Sequence, residues 1–244
     1  MKYKNPPIVE AICEFRFSKE TKWDLTIPGS VYEKVKDQFP NKENRLEQEV
    51  ILKAGETGVN QDLVASQKAL MLSSDRSSLI QVGQHLLSIN HLKPYVGWES
   101  FKPKIQMAYD TLSEITEING IDRMALVYID RIEIPGNRIH MEDYFKFYPH
   151  LGAELPQDHN SFMVGVQLPY HNNRDFCKLQ LTSAMATKKD HVAFLMTTEY
   201  SLAKKNAIPS DKALEWMEAA HAIIRQLFKG CITEKLEDIF VRLD

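Results

Sequence analysis

From Ile8 to Phe17 the chain alternates. Val9, Ala11, Cys13, Phe15 and Phe17 form an apolar row, and Ile8, Glu10, Ile12, Glu14 and Arg16 a more polar one. A period of two with one apolar face predicts a half-buried strand. Pro6 and Pro7 donate no ladder hydrogen bond and favour an extended backbone, so they mark its start. The period then changes. Val31, Val35 and Phe39 recur at helical spacing after Ser30, and Pro40 stops the run. Residues 47–54, 63–73 and 78–92 read as three strands, with turn signals at Gly55-Glu56-Thr57-Gly58 and Ser73-Ser74-Asp75. Beyond Pro94, Trp98, Phe101, Ile105, Ala108, Leu112 and Ile115 make one stripe of a long helix that Asn119-Gly120 ends.

The order then restarts. Residues 124–135 (MALVYIDRIEIP) are apolar on nearly both faces, as in a central strand. A short helix is predicted over 140–151, and strands over 161–168, 176–185 and 191–201. A long helix follows, capped by Ser210, with Leu214, Met217, His221, Ile224 and Phe228 in its stripe. A short helix from Glu234 to Phe240 comes last. The pattern therefore predicts an α+β fold in which strand–helix–three strands–helix occurs twice, over 1–120 and 121–244. The two halves would join as one unit, with a mostly antiparallel sheet and the long helices on one face.

The opening NPPIVEAICEFRF, the central GWESFKPKIQMAYDTLSEI and RMALVYIDRIEIP, and the late EAAHAIIRQLFKGCIT carry a resemblance along the whole chain. Together they resemble a sporadically distributed family of uncharacterised prokaryotic proteins. That family has Asn where this chain has Asp130, so no role for an amide carries over. The resemblance implies a scattered distribution of the kind associated with defence, toxin–antitoxin or mobile-element genes, and it implies no activity.

Composition narrows the function classes. With 43% hydrophobic and 26% charged residues, the 244-residue chain can bury a core without disulfides or a structural metal. A net charge of −3 with dispersed Lys and Arg argues against a broad nucleic-acid surface. Three distant cysteines, Cys13, Cys177 and Cys231, fit a reducing compartment. No apolar run approaches the ~18–20 residues of a membrane span, so a cytoplasmic location is expected. Neither a nucleophile elbow, nor a phosphate-binding glycine loop, nor a zinc-helix motif is present, and no cofactor or metal is expected. His85 and His91 lack a third ligand, and His221 reads as a packed residue. The aromatics Trp23, Tyr95, Trp98, Tyr144, Phe145, Phe147 and Tyr148 fit core packing or a protein interface.

The candidate binding residues are Glu10, Glu14 and Arg16 on the first strand and Asp130, Arg131 and Glu133 on the central one. If the strands lie side by side, two acid–arginine clusters meet. They would be either cross-strand ion pairs or a polar floor where Arg16 and Arg131 grip an anionic group. The expected function is a non-enzymatic binding protein, an accessory or neutralising partner in a defence or toxin–antitoxin setting. Its partner would be another protein or a small anionic ligand, and a homodimer also fits. The alternatives are a ligand-binding protein with a polar cleft between the halves and, third, an unrecognised hydrolase or nuclease.

Overall fold

The computed structural model describes residues 2–55, 58–157 and 160–243; of the predicted turns, Glu56 and Thr57 lie outside them. In chain order the elements are β1 (Lys2–Tyr3), β2 (Ile8–Phe17), α1 (Ile27–Val35), β3 (Asn41–Gly55), β4 (Gly58–Leu72), β5 (Ser78–Gly83), β6 (Leu86–Leu92) and α2 (Trp98–Ile115). There follow β7 (Ile121–Pro135), β8 (Met163–Tyr170), β9 (Asp175–Ala184), β10 (His191–Leu202), α3 (Ala213–Cys231), α4 (Glu234–Phe240) and β11 (Arg242–Leu243). The fold is α+β. Nine strands form one antiparallel sheet in the order β3-β4-β5-β6-β2-β7-β10-β9-β8, and β1 pairs with β11 beside it.

Strand parity decides which side chains meet the helices. Ala11, Cys13, Phe15 and Phe17 of β2 share a core with Met124, Leu126 and Tyr128 of β7. Onto them pack Trp98, Phe101, Ile105, Ala108 and Leu112 of α2 and Trp216, Met217, Ala220 and Ile224 of α3. The stripe predicted for α2 is buried from Trp98 to Leu112, with Ile115 half-buried at its end, because residues three and four apart stack on one helical face. A second core joins Ile132, Ile134, Phe194 and Met196 to Leu236 and Phe240 of α4. Phe145 lies within this second core, and Tyr144, Phe147 and Tyr148 pack against it; Trp23 and Tyr95 pack on the first. Among the described residues no helix packs on the opposite sheet face, whose own apolar cluster is Leu70, Leu72 and Leu79 with Leu92.

Three predicted elements differ. Residues 78–92 are two strands, because the chain reverses at Gly83 and at His85, which adopts φ 54°. The helix expected over 140–151 reduces to a single 3-10 turn at Met141–Asp143, whose following aromatics bury themselves as a loop. The first long hairpin begins at Asn41, well before the predicted start. The helices α1 and α2 are consequently separated by four strands, whereas three strands lie between β7 and α3.

Candidate functional site: the uncovered sheet face

β2 and β7 are neighbours and run antiparallel, with Cys13 opposite Leu126, Glu14 opposite Ala125 and Arg16 opposite Arg123. This register separates the two expected arginines. The Arg131 amide donates to the Pro7 carbonyl at 2.8 Å, so Arg131 sits by the start of β2 while Arg16 sits by its end. Nine residues of strand put them about 30 Å apart. The shared arginine floor does not form. The strands are in register from Glu10 to Arg16, so no cleft separates them within the sheet.

Arg123 takes the place that Arg131 was expected to fill. The Glu14 carboxylate accepts from Arg16 Nε at 2.8 Å and from Arg123 at 2.7 Å, and Arg123 reaches on to Glu199 of β10. A second chain of hydrogen bonds runs the other way. Glu10 accepts from Asn90 Nδ2 at 2.7 Å, and the Asn90 carbonyl accepts from Gln81 at 2.9 Å and Ser88 at 3.1 Å. The two chains cross five strands, β5-β6-β2-β7-β10. In the first, two arginines and two glutamates compensate one another, each exposed pair contributing ~0.2–1 kcal/mol. In the second, the Glu10 carboxylate is held by the neutral Asn90 amide, which Gln81 and Ser88 hold in turn. Ile12, Val127 and Ile129 lie half-buried on the same face within and beside these rows, and Leu195, also half-buried there, sits one row further on, opposite Arg131.

Arg131 and Glu133 form a third group. Arg131 Nε donates to Glu133 at 2.9 Å, and its guanidinium also reaches the Met185 carbonyl. Glu133 Oε1 accepts from the Thr187 amide at 2.9 Å and hydroxyl at 2.8 Å. Burial raises the Glu133 pKa, but the Thr187 donors and then Arg131 outweigh it and hold the carboxyl at about 2. The pair thereby latches the β9–β10 loop to β7 and leaves Met185 89% exposed.

Asp130 does not belong to this face. Its parity is that of Tyr128 and Ile132, so it points under the helices, 2% exposed. Its carboxyl makes no side-chain hydrogen bond among the described residues, and burial raises its pKa to about 8. Tyr3, Tyr95 and Tyr128 feel its charge, and the Tyr95 and Tyr128 hydroxyls lie 3.0 Å apart.

Two polar clusters escaped the sequence because they join distant segments. Ser78 Oγ accepts from Lys104 Nζ at 2.6 Å and lies 2.8 Å from His91 Nδ1. This brings a hydroxyl, an imidazole and an amine together, but Ser78 is fully buried and His91 2% exposed, so no substrate reaches the hydroxyl. Burial, and then Lys104, depress the His91 pKa. The second cluster centres on the buried Asp175 carboxylate. It accepts from Trp216 Nε1 and the Tyr200 hydroxyl, both at 3.1 Å, and from Arg174 at 2.6 Å, tying β9 to β10 and α3.

Of the hollows, the one between α2 and α3, by Trp98, Ile105 and Met217, measures about 20 Å³, room for about one water. A wider, open one of about 470 Å³ lies at the end of β9 and the start of β10, by Arg138, Met141, Phe162, His191 and Phe194. Among the described residues no His, Cys, Asp or Glu group is arranged to hold a metal. None of their helices is long and apolar enough to cross a membrane. No family model, curated protein or solved structure matches the chain.

Proposed function

We propose that this chain is a non-catalytic interaction protein that receives a partner protein on the uncovered face of its sheet. One observation carries the reading. Ile12, Val127, Ile129 and Leu195 lie half-buried on the face without helices, beside the mutually paired Glu14, Arg16, Arg123 and Glu199 and the amide-bound Glu10. An apolar centre framed by hydrogen-bonded polar groups suits a protein interface, because docking removes apolar area from water while those groups keep their partners, and a cation on the partner would complete Glu10. The buried Ser78 supports the non-catalytic side of this reading.

The same reading takes the molecule as two related halves, 1–120 and 121–244. β2 pairs with β6, the last strand before α2, and β7 pairs with β10, the last strand before α3. A twofold between β2 and β7 would carry Arg16 toward the place of Arg131, and in this reading the two arginines at opposite ends of the central pair would be counterparts. An accessory or neutralising role in a defence or toxin–antitoxin setting fits such a surface.

The test is native mass spectrometry of the protein purified gently from its own host, beside the Val127→Lys variant. A second polypeptide bound to the parent and lost from an equally stable variant supports the reading. A polypeptide that the variant retains overturns the assignment to this face. A bound small molecule with no polypeptide replaces the reading with that of a ligand-binding protein.

A further inference from the structure

The two edges of the sheet are guarded differently. β3 opens with Asn41-Lys42-Glu43-Asn44-Arg45, so charges of both signs line that edge. β8, MVGVQLPY, carries no charged residue, and Pro169 interrupts its donors only near the end. Its inner side pairs with β9 from Met163 to Tyr170 without a register break. Among the described residues no other backbone hydrogen bond reaches it. Sheet edges left in water are ordinarily blunted by lysine, proline, a bulge or a covering segment. This one is regular, neutral and open, with Met163 70% exposed and Val166 40% exposed.

The parity of β8 narrows what covers it. Val164, Val166, Leu168 and Tyr170 point to the helix side. Val164 packs against the second core, and Leu168 and Tyr170 against the first, while Val166 packs in neither. We infer that β8 pairs antiparallel with the β8 of a second copy, about a twofold axis at Val166. In that register Val166 meets its own mate, Val164 meets Leu168, and Gly165 meets Gln167. Every cross-strand pair is then uncharged, and the exposed valine is buried at the axis. The charged β3 edge offers no such neutral match. A strand without charges suits its own copy because isologous pairing sets each residue against the same short sequence. The dimer would continue the uncovered face into one surface of eighteen strands; this inference is independent of what that face binds.

Sedimentation velocity of the full chain over a range of micromolar concentrations tests it, with Val166→Lys and Gln167→Lys as variants on exposed positions and Val127→Lys as a control on the uncovered face. The parent and the Val127→Lys control are expected to sediment as dimers. Each β8 variant is expected to weaken the dimer at least tenfold while keeping the parent's far-UV circular-dichroism spectrum, which shows that the fold itself is intact. A parent that stays monomeric, or a dimer indifferent to both β8 changes, overturns the inference. Loss of the dimer in the Val127→Lys control alone would move the contact to the uncovered face.

Discussion

Replacing Asp130 by Asn should stabilise the protein, and more so as the pH rises. In the fold, burial raises the Asp130 pKa to about 8. In the unfolded chain an aspartate titrates near ~3.9. Between these values the native state binds a proton that the unfolded state has released, so stability falls as pH increases through this window. At pH 7 about three pH units of linkage apply, which at ~1.4 kcal/mol per unit costs about 4 kcal/mol. Asparagine keeps the shape and removes the titration. Its amide has unmatched donors in the same site, which returns about 1–3 kcal/mol independently of pH. The net gain at pH 7 is then about 1–3 kcal/mol, and the difference between variant and parent should grow by several kcal/mol from pH 4 to 8. Urea unfolding at a series of pH values measures it, with the slope rather than the absolute difference as the readout. A difference that stays flat with pH would show that Asp130 ionises normally and refute the reasoning.

Three further outcomes are expected. Asp175→Ala strands the Trp216 N–H, the Tyr200 hydroxyl and the Arg174 guanidinium around an empty place. It should cost about 3–5 kcal/mol in urea unfolding, and a loss under 1 kcal/mol would contradict the tie between β9, β10 and α3. His221 stacks on Trp98 at 4.2 Å, and burial, with Arg225 adding to it, lowers its pKa to about 4. The unfolded chain takes up that proton below ~6.5, so the fold loses stability as pH falls from 6.5 towards 4. His221→Phe should make this acid loss shallower while the depressed His91 keeps part of it; an unchanged melting curve at pH 5 would exclude the effect. Finally, Ser78 should resist a fluorophosphonate probe, and labelling that Ser78→Ala abolishes would revive the hydrolase reading.

Periodicity made the long helices, the short α4 and the central strands legible, since each buries one face against a core. It could not show the reversal at Gly83. Apolar residues continue through β5 and β6 on both sides, and the turn uses His85 with positive φ rather than an Asn-Gly pair. The start of β3 was hidden for the opposite reason, because an edge strand with alternating charge lacks an apolar row. At the site, the adjacency of the two charged strands could be read but their register could not. Antiparallel pairing moved Arg131 to the far end and substituted Arg123. The placement of Asp130 was readable, since it shares parity with Leu126, Tyr128 and Ile132, and grouping it with Arg131 overlooked the period of two. The Ser78–His91–Lys104 and Asp175 clusters join segments whose meeting only the tertiary fold decides.

Site-specific photo-crosslinking in host cells tests the uncovered face most directly. Val127 is replaced by p-benzoylphenylalanine in one variant, and Asp110, exposed on α2, in another. A discrete crosslinked polypeptide from position 127, absent from position 110, is the predicted result. Crosslinks from position 110 with none from position 127 would place the partner on the helices and contradict the account.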